Sequence, residues 1–142
     1  LENVGISKEY NIFELQDALI KQDVLKANRI VNYFEANPKS NPVIPNIGLL
    51  FSLFTKLLSM QSAADKSEAN MKKLLGGQAW KLKEYQFALR YYTVPKLAEI
   101  IKALREADLK SKGITGGDIS EGDILREVIY KILHPVPKVM AV

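Results

Sequence analysis

The sequence predicts an all-α fold, a compact bundle of five to seven helices. Three observations predict it. Apolar residues recur at helical spacing through most of the chain, capping residues and Pro or Gly punctuate the gaps, and no stretch alternates apolar with polar as a strand would. The strongest signal is residues 42–60, PVIPNIGLLFSLFTKLLSM, where Ile47, Leu50, Phe51, Phe54, Leu57 and Leu58 fall at spacings 0, 3, 4, 7, 10 and 11. Leu49 and Leu53 widen that face, and Lys56 is the only charge. A helix apolar around most of its girth has to be covered on several sides, so this one is expected at the centre. Ser52, Thr55, Lys56 and Ser59 interrupt it, and it is short for a membrane span. Leu50, Phe51, Phe54 and Leu57 are expected among the most buried residues; truncation to Ala there should cost ~2–5 kcal/mol.

Residues 1–10 read as a linker arriving from an upstream domain. Residues 11–134 read as the helical domain, and 135–142 as a C-terminal tail. Asn11 is placed to cap a first helix, with Glu14 three residues on as in a capping box. Phe13, Leu15, Ala18 and Leu19 supply its apolar face. A second helix from Asp23 carries Val24, Ala27, Ile30, Val31 and Phe34 and ends before Pro38. Pro42, behind an Asn41 cap, opens the central helix, which runs to about Ala64. Residues 65–73 are polar, and Gly76 fits a helix stop. A helix over 79–92 has Trp80, Tyr85, Ala88, Leu89 and Tyr92 as inward candidates. Thr93 caps the next, which carries Leu97, Ile100, Ile101, Leu104 and Ala107 and closes at Gly113. Gly116 and Gly117 fall in a loop. Ser120, with Asp123 three residues on, opens the last helix, which buries Ile124, Leu125, Val128, Ile129, Ile132 and Leu133 and stops at His134-Pro135.

The chain has 142 residues, 47% apolar and 25% charged, enough for one domain with a real core. It has no cysteine, which excludes disulfides and thiolate metal sites. With a single histidine, His134, a zinc site lacks ligands. Asp118, Glu121 and Asp123 stand where acids favour a helix start, which explains them better than a metal does. Neither Gly76-Gly77 nor Gly116-Gly117 precedes Lys-Ser/Thr, so neither is a phosphate loop. No nucleophile has an evident base, and an enzyme is not expected. The net charge of +4 permits nucleic-acid contact, but 20 basic and 16 acidic residues are interspersed and no basic run exceeds two. Direct nucleic-acid binding is therefore not expected. Tyr85, Tyr91, Tyr92 and Trp80 read as core or interface residues. The start lacks the features of a signal peptide and has no initiator Met, so a cytoplasmic fragment or processed product is expected.

The most distinctive pairing is LREADLKSKG (104–113) followed, after a loop, by ILREVIYKIL (124–133). Lys110 and Lys112 lie in the last turn of the first helix, matched to its negative end, with Gly113 as the stop. FELQDALIKQDVLKANRIVNYFEANPKSNP (13–42), LLFSLFTKLL (49–58) and KEYQFALRYY (83–92) precede it in order. This set resembles the C-terminal region of bacterial DNA polymerase III delta subunits, members of the replicative clamp loader. The resemblance runs from Gly5 to Leu133. Residues 65–82 match poorly, and the tail has no counterpart.

The resemblance implies a non-catalytic collar domain that joins clamp-loader subunits during DNA replication, although the parent holoenzyme is a DNA-directed DNA polymerase. Its partners would be the gamma/tau and delta-prime type subunits. The sliding clamp would be met only through an N-terminal module outside these residues. No cofactor, metal or membrane is implied. Arg105, Asp108, Lys112 and Gly113 are then helix-end or interfacial residues. An exposed Asp108–Lys112 pair, four residues apart, contributes only ~0.3–0.5 kcal/mol. Arg126 and Tyr130, off the apolar stripe of the last helix, are the candidate contact face. Two other readings are a helical adaptor or scaffold unrelated to replication and a weakly basic helical nucleic-acid-binding domain.

Overall fold

The computed structural model describes residues 9–113 and 120–134, and these form an all-α bundle with no strand among them. The seven α-helices are α1 (Ile12–Ile20), α2 (Val24–Ala36), α3 (Val43–Ser62), α4 (Glu68–Leu75), α5 (Leu82–Leu89), α6 (Val94–Ser111) and α7 (Glu121–Leu133). A 3-10 helix, Gly76–Lys81, joins α4 to α5. Most of the expected linker, the Gly116-Gly117 loop with Asp118, and the tail after His134 lie outside the described residues.

α3 is central, as its girth of apolar residues predicts. It packs most extensively on α6 and also meets α1, α4, α5 and α7. By length and composition it is long and apolar enough to cross a membrane, but within the bundle that apolar surface is divided among its neighbours. α2 lies against α1 and α7, and α7 packs in turn on α6. Side-chain oxygens of Asn11, Asp23, Ser67, Thr93 and Ser120 each accept the backbone N–H three residues on, fixing five helix starts.

Several expectations need correcting. Asn41 does not cap α3: its amide turns back to the Asn37 carbonyl at 3.1 Å, and Pro42 takes the cap position without a side-chain bond. α3 stops at Ser62, where Ala63 turns extended (φ −64°, ψ 133°), and the Lys66 ammonium donates to the Met60, Gln61 and Ala63 carbonyls left at that end, at 3.0, 2.7 and 2.9 Å. Phe51 is only half-buried, whereas Leu53 is buried with Leu50, Phe54 and Leu57. A helix apolar on both flanks does not reveal which flank its neighbours cover. The polar stretch after residue 65 contains a helix after all: Ser67 caps α4, and Met71 and Leu75, one turn apart, are its buried contacts. No single helix spans 79–92. Gln78 has non-helical angles (φ −102°, ψ 19°), a 3-10 turn follows, and Trp80 is thrown outward to 75% exposure. On α1 and α2, Phe13 and Val24 face out, and Ile12 takes the inward place expected of Phe13.

Candidate interaction surface

α7 carries the sequence-predicted contact residues. Its inner side buries Ile124, Leu125, Val128, Ile129, Ile132 and Leu133, which forces residues 126, 130 and 134 outward. Tyr130 is 62% exposed. Its ring stacks on the His134 imidazole at 4.4 Å between centroids and 21° between planes. Arg126, one turn earlier, is engaged within the chain: its guanidinium donates to Glu35 Oε1 at 2.6 Å and Asn32 Oδ1 at 2.8 Å, both on α2. Arg126 and Tyr130 thus share an outer face, but Arg126 first ties α7 to α2.

The end of α6 is built as the spacing predicts. Lys112 pairs with Asp108 at 3.0 Å, Gly113 closes the helix at φ +72°, and Arg105 is exposed. Lys110 does more than face the helix dipole. It reaches Glu127 of α7 at 3.0 Å, and that hydrogen bond holds the Glu127 carboxyl below the usual carboxylate range. α7 is therefore fastened on one side to α2 and on the other to α6.

A second, polar cluster lies where α1, α3, the 3-10 helix and α5 meet. Gln78 Oε1 accepts from Lys56 Nζ at 2.9 Å and from the Tyr85 hydroxyl at 3.0 Å, while Lys81 pairs with Asp17 at 3.2 Å. Burial, with the negative charges of Asp17 and Glu84 nearby, pushes the Tyr85 phenol up to about 12. A phenol held protonated in this way is a hydrogen-bond donor, not a base. The adjoining open groove, about 270 Å³, is lined by Ser52, Thr55, Lys56, Ser59 and Leu74. Its Lys56 is engaged by Gln78, and its Thr55 hydroxyl by the Ser52 carbonyl at 3.0 Å. No group of three or more acidic or histidine side chains among the described residues is placed to hold a metal ion.

Sequence reasoning missed the exposed aromatic residues of the central segment. Trp80 is 75% exposed, and Phe87 and Tyr91, rings 5.2 Å apart, are 39% and 45% exposed. Their signal was present as the spacing of 80, 87 and 91 around the inward Tyr85, Ala88 and Tyr92. No family model, curated protein or solved structure matches this chain.

Proposed function

We propose that this domain is a protein-assembly module of the clamp-loader collar type, joining gamma/tau and delta-prime type subunits in the bacterial cytoplasm. Support comes from the ordered resemblance of its helices to the C-terminal region of delta subunits and from the all-α bundle into which they fold. The observation that carries the reading is Tyr130: a large aromatic ring in solvent, on a helix fastened at both sides. Its stack on His134 restricts the ring before any partner arrives, so less rotamer entropy is lost on contact. Tyr and Arg are favoured anchors at protein interfaces. In this reading the domain carries no chemistry and needs no cofactor, and clamp opening belongs to another module.

The test is a quantitative pull-down of the chain against gamma/tau and delta-prime type subunits, with Tyr130→Ala beside it and circular dichroism as the folding control. A hot-spot contribution of ~2 kcal/mol corresponds to roughly 30-fold weaker association. Undiminished association would remove Tyr130 from the interface. No association of the unmutated chain with any of these subunits would defeat the assembly reading.

A further inference from the structure

The charge of this protein is concentrated in one segment. Between residues 66 and 90 stand six basic and two acidic residues, an excess equal to the entire net charge of +4; the rest of the chain balances. That segment folds as α4, the 3-10 helix and α5. Trp80, Lys83, Phe87, Arg90 and Tyr91 follow one another there at steps of three, four, three and one, and all are exposed. Rings and cations alternate along the exposed residues of the 3-10 helix, α5 and the turn after it.

Some cations of the segment are already committed, and others are not. Lys66 caps α3, Lys72 pairs with Glu68 at 2.9 Å, and Lys81 pairs with Asp17. Lys73 and Arg90 make no ion pair among the described residues. Lys83 is close enough to Glu68 to help Lys72 hold that carboxyl down, which also places α4 beside α5. Lys81, anchored by Asp17, sits 5.1 Å over the Trp80 ring and orients it, with most of the indole still in solvent.

We propose that this face binds single-stranded nucleic acid, with unpaired bases stacking on Trp80 and on the Phe87–Tyr91 pair and phosphates meeting Lys73, Lys83 and Arg90. Exposed rings interleaved with cations suit a strand whose bases are unstacked and whose backbone is anionic. A protein partner fits less well: lysine is depleted in protein interfaces, whereas Lys73 and Lys83 stand exposed among these rings. Interspersion along the whole chain argues against nucleic acid, but the clustering of the excess charge beside three exposed rings reverses that argument. The face is separate from Tyr130 on α7, so this proposal and the assembly reading can fail independently.

Trp80 is the only tryptophan, so its own emission reports the contact. The experiment titrates the whole chain with an oligodeoxythymidylate of about 15 nucleotides near 50 mM salt and again at higher salt. A polyglutamate of similar length is titrated in parallel. Saturable quenching is expected, with log affinity falling against log salt at a slope of about −2 for three phosphates engaged. In anisotropy with a labelled oligonucleotide, Trp80→Ala should weaken binding roughly 5- to 100-fold. Lys83→Glu should weaken it and flatten the salt slope by about one, while Tyr130→Ala leaves it unchanged. Circular dichroism confirms that each variant is folded. Three outcomes overturn the proposal: no saturable binding at low salt, full binding by folded Trp80→Ala, or equal affinity for polyglutamate, which would point to an acidic polypeptide.

Discussion

Replacing Tyr92 by Phe removes one oxygen from a buried polar contact in the core. Tyr92 is fully buried, and its hydroxyl donates to the Leu19 carbonyl at 2.6 Å, tying the α5–α6 turn to the end of α1. The ring itself would stay, edge-on to Phe54 at 5.4 Å, so no cavity adds to the cost. The Leu19 carbonyl also accepts the Gln22 N–H at 3.2 Å and is not orphaned. That limits the loss to ~1–2 kcal/mol, below the upper range for a stranded buried acceptor. The shared carbonyl also supports a turn in which Gln22 sits at φ +58°, a left-handed conformation costly to a residue with a Cβ. For a chain of this size the expected fall in Tm is about 3–8 °C. Urea unfolding should be followed by far-UV circular dichroism, because the exposed Trp80 reports little of the core. A change below ~0.5 kcal/mol at unchanged m-value would show that this hydroxyl does not hold α1 to the turn.

Alkaline pH should destabilise the fold through the same residues. Burial pushes the Tyr85 phenol up to about 12 and the Tyr92 phenol higher still, whereas both titrate near 10 in the unfolded chain. The unfolded state then loses protons first, so stability holds below about pH 9.5 and falls from pH 10 upward. Tyr85 alone accounts for roughly 2–3 kcal/mol by pH 12. A urea midpoint that stays constant from pH 8 to 12, or the same alkaline loss in Tyr85→Phe, would contradict this. The adjacent glycines should also separate cleanly. Gly76 closes α4 at φ +58°, ψ −124°, and a Cβ at either glycine meets nothing within 4 Å, so only backbone strain distinguishes them. Gly76→Ala should cost ~1–3 kcal/mol, and Gly77→Ala should be neutral or slightly stabilising. Equal shifts in thermal unfolding would refute the assignment.

What was legible in the sequence was what local chemistry decides. Asn11, Asp23, Thr93 and Ser120 announce helix starts because a short polar side chain before an apolar run has one favourable use there, and Gly113 announces a stop. The all-α class followed from the same marks. What was not legible depends on neighbours distant in sequence. Whether Phe51 or Leu53 faces the core depends on how α3 is rotated against α6, and both residues satisfy the helical period. Trp80 looked inward on its apolar bulk alone, although its helical spacing to Phe87 and Tyr91 sets it on their side; it stands in a 3-10 turn, exposed as they are. Arg126 looked free because its partners, Asn32 and Glu35, are some ninety residues away. The helix and the exposed ring that went unread both fall in 65–82, where polar residues mask the apolar period that Met71 and Leu75 carry.

The display of Tyr130 depends on more than its own helix. Gly122, in the first turn of α7, lowers helix propensity where Ala would raise it. A Cβ there would come within 2.8 Å of the Glu35 Cγ. The missing side chain lets Glu35 lie across the start of α7 and reach Arg126, which also takes Asn32. Across the same helix Glu127 holds Lys110 of α6. Each ion pair is half-exposed and modest alone, but they leave α7 about 100° apart, one toward α2 and one toward α6, and so resist its rotation about its own axis. A rotation of one residue, about 100°, would carry Tyr130 off the outer face. The aromatic side chain that the assembly reading relies on is therefore aimed by a glycine two turns away and by two surface ion pairs about one turn away.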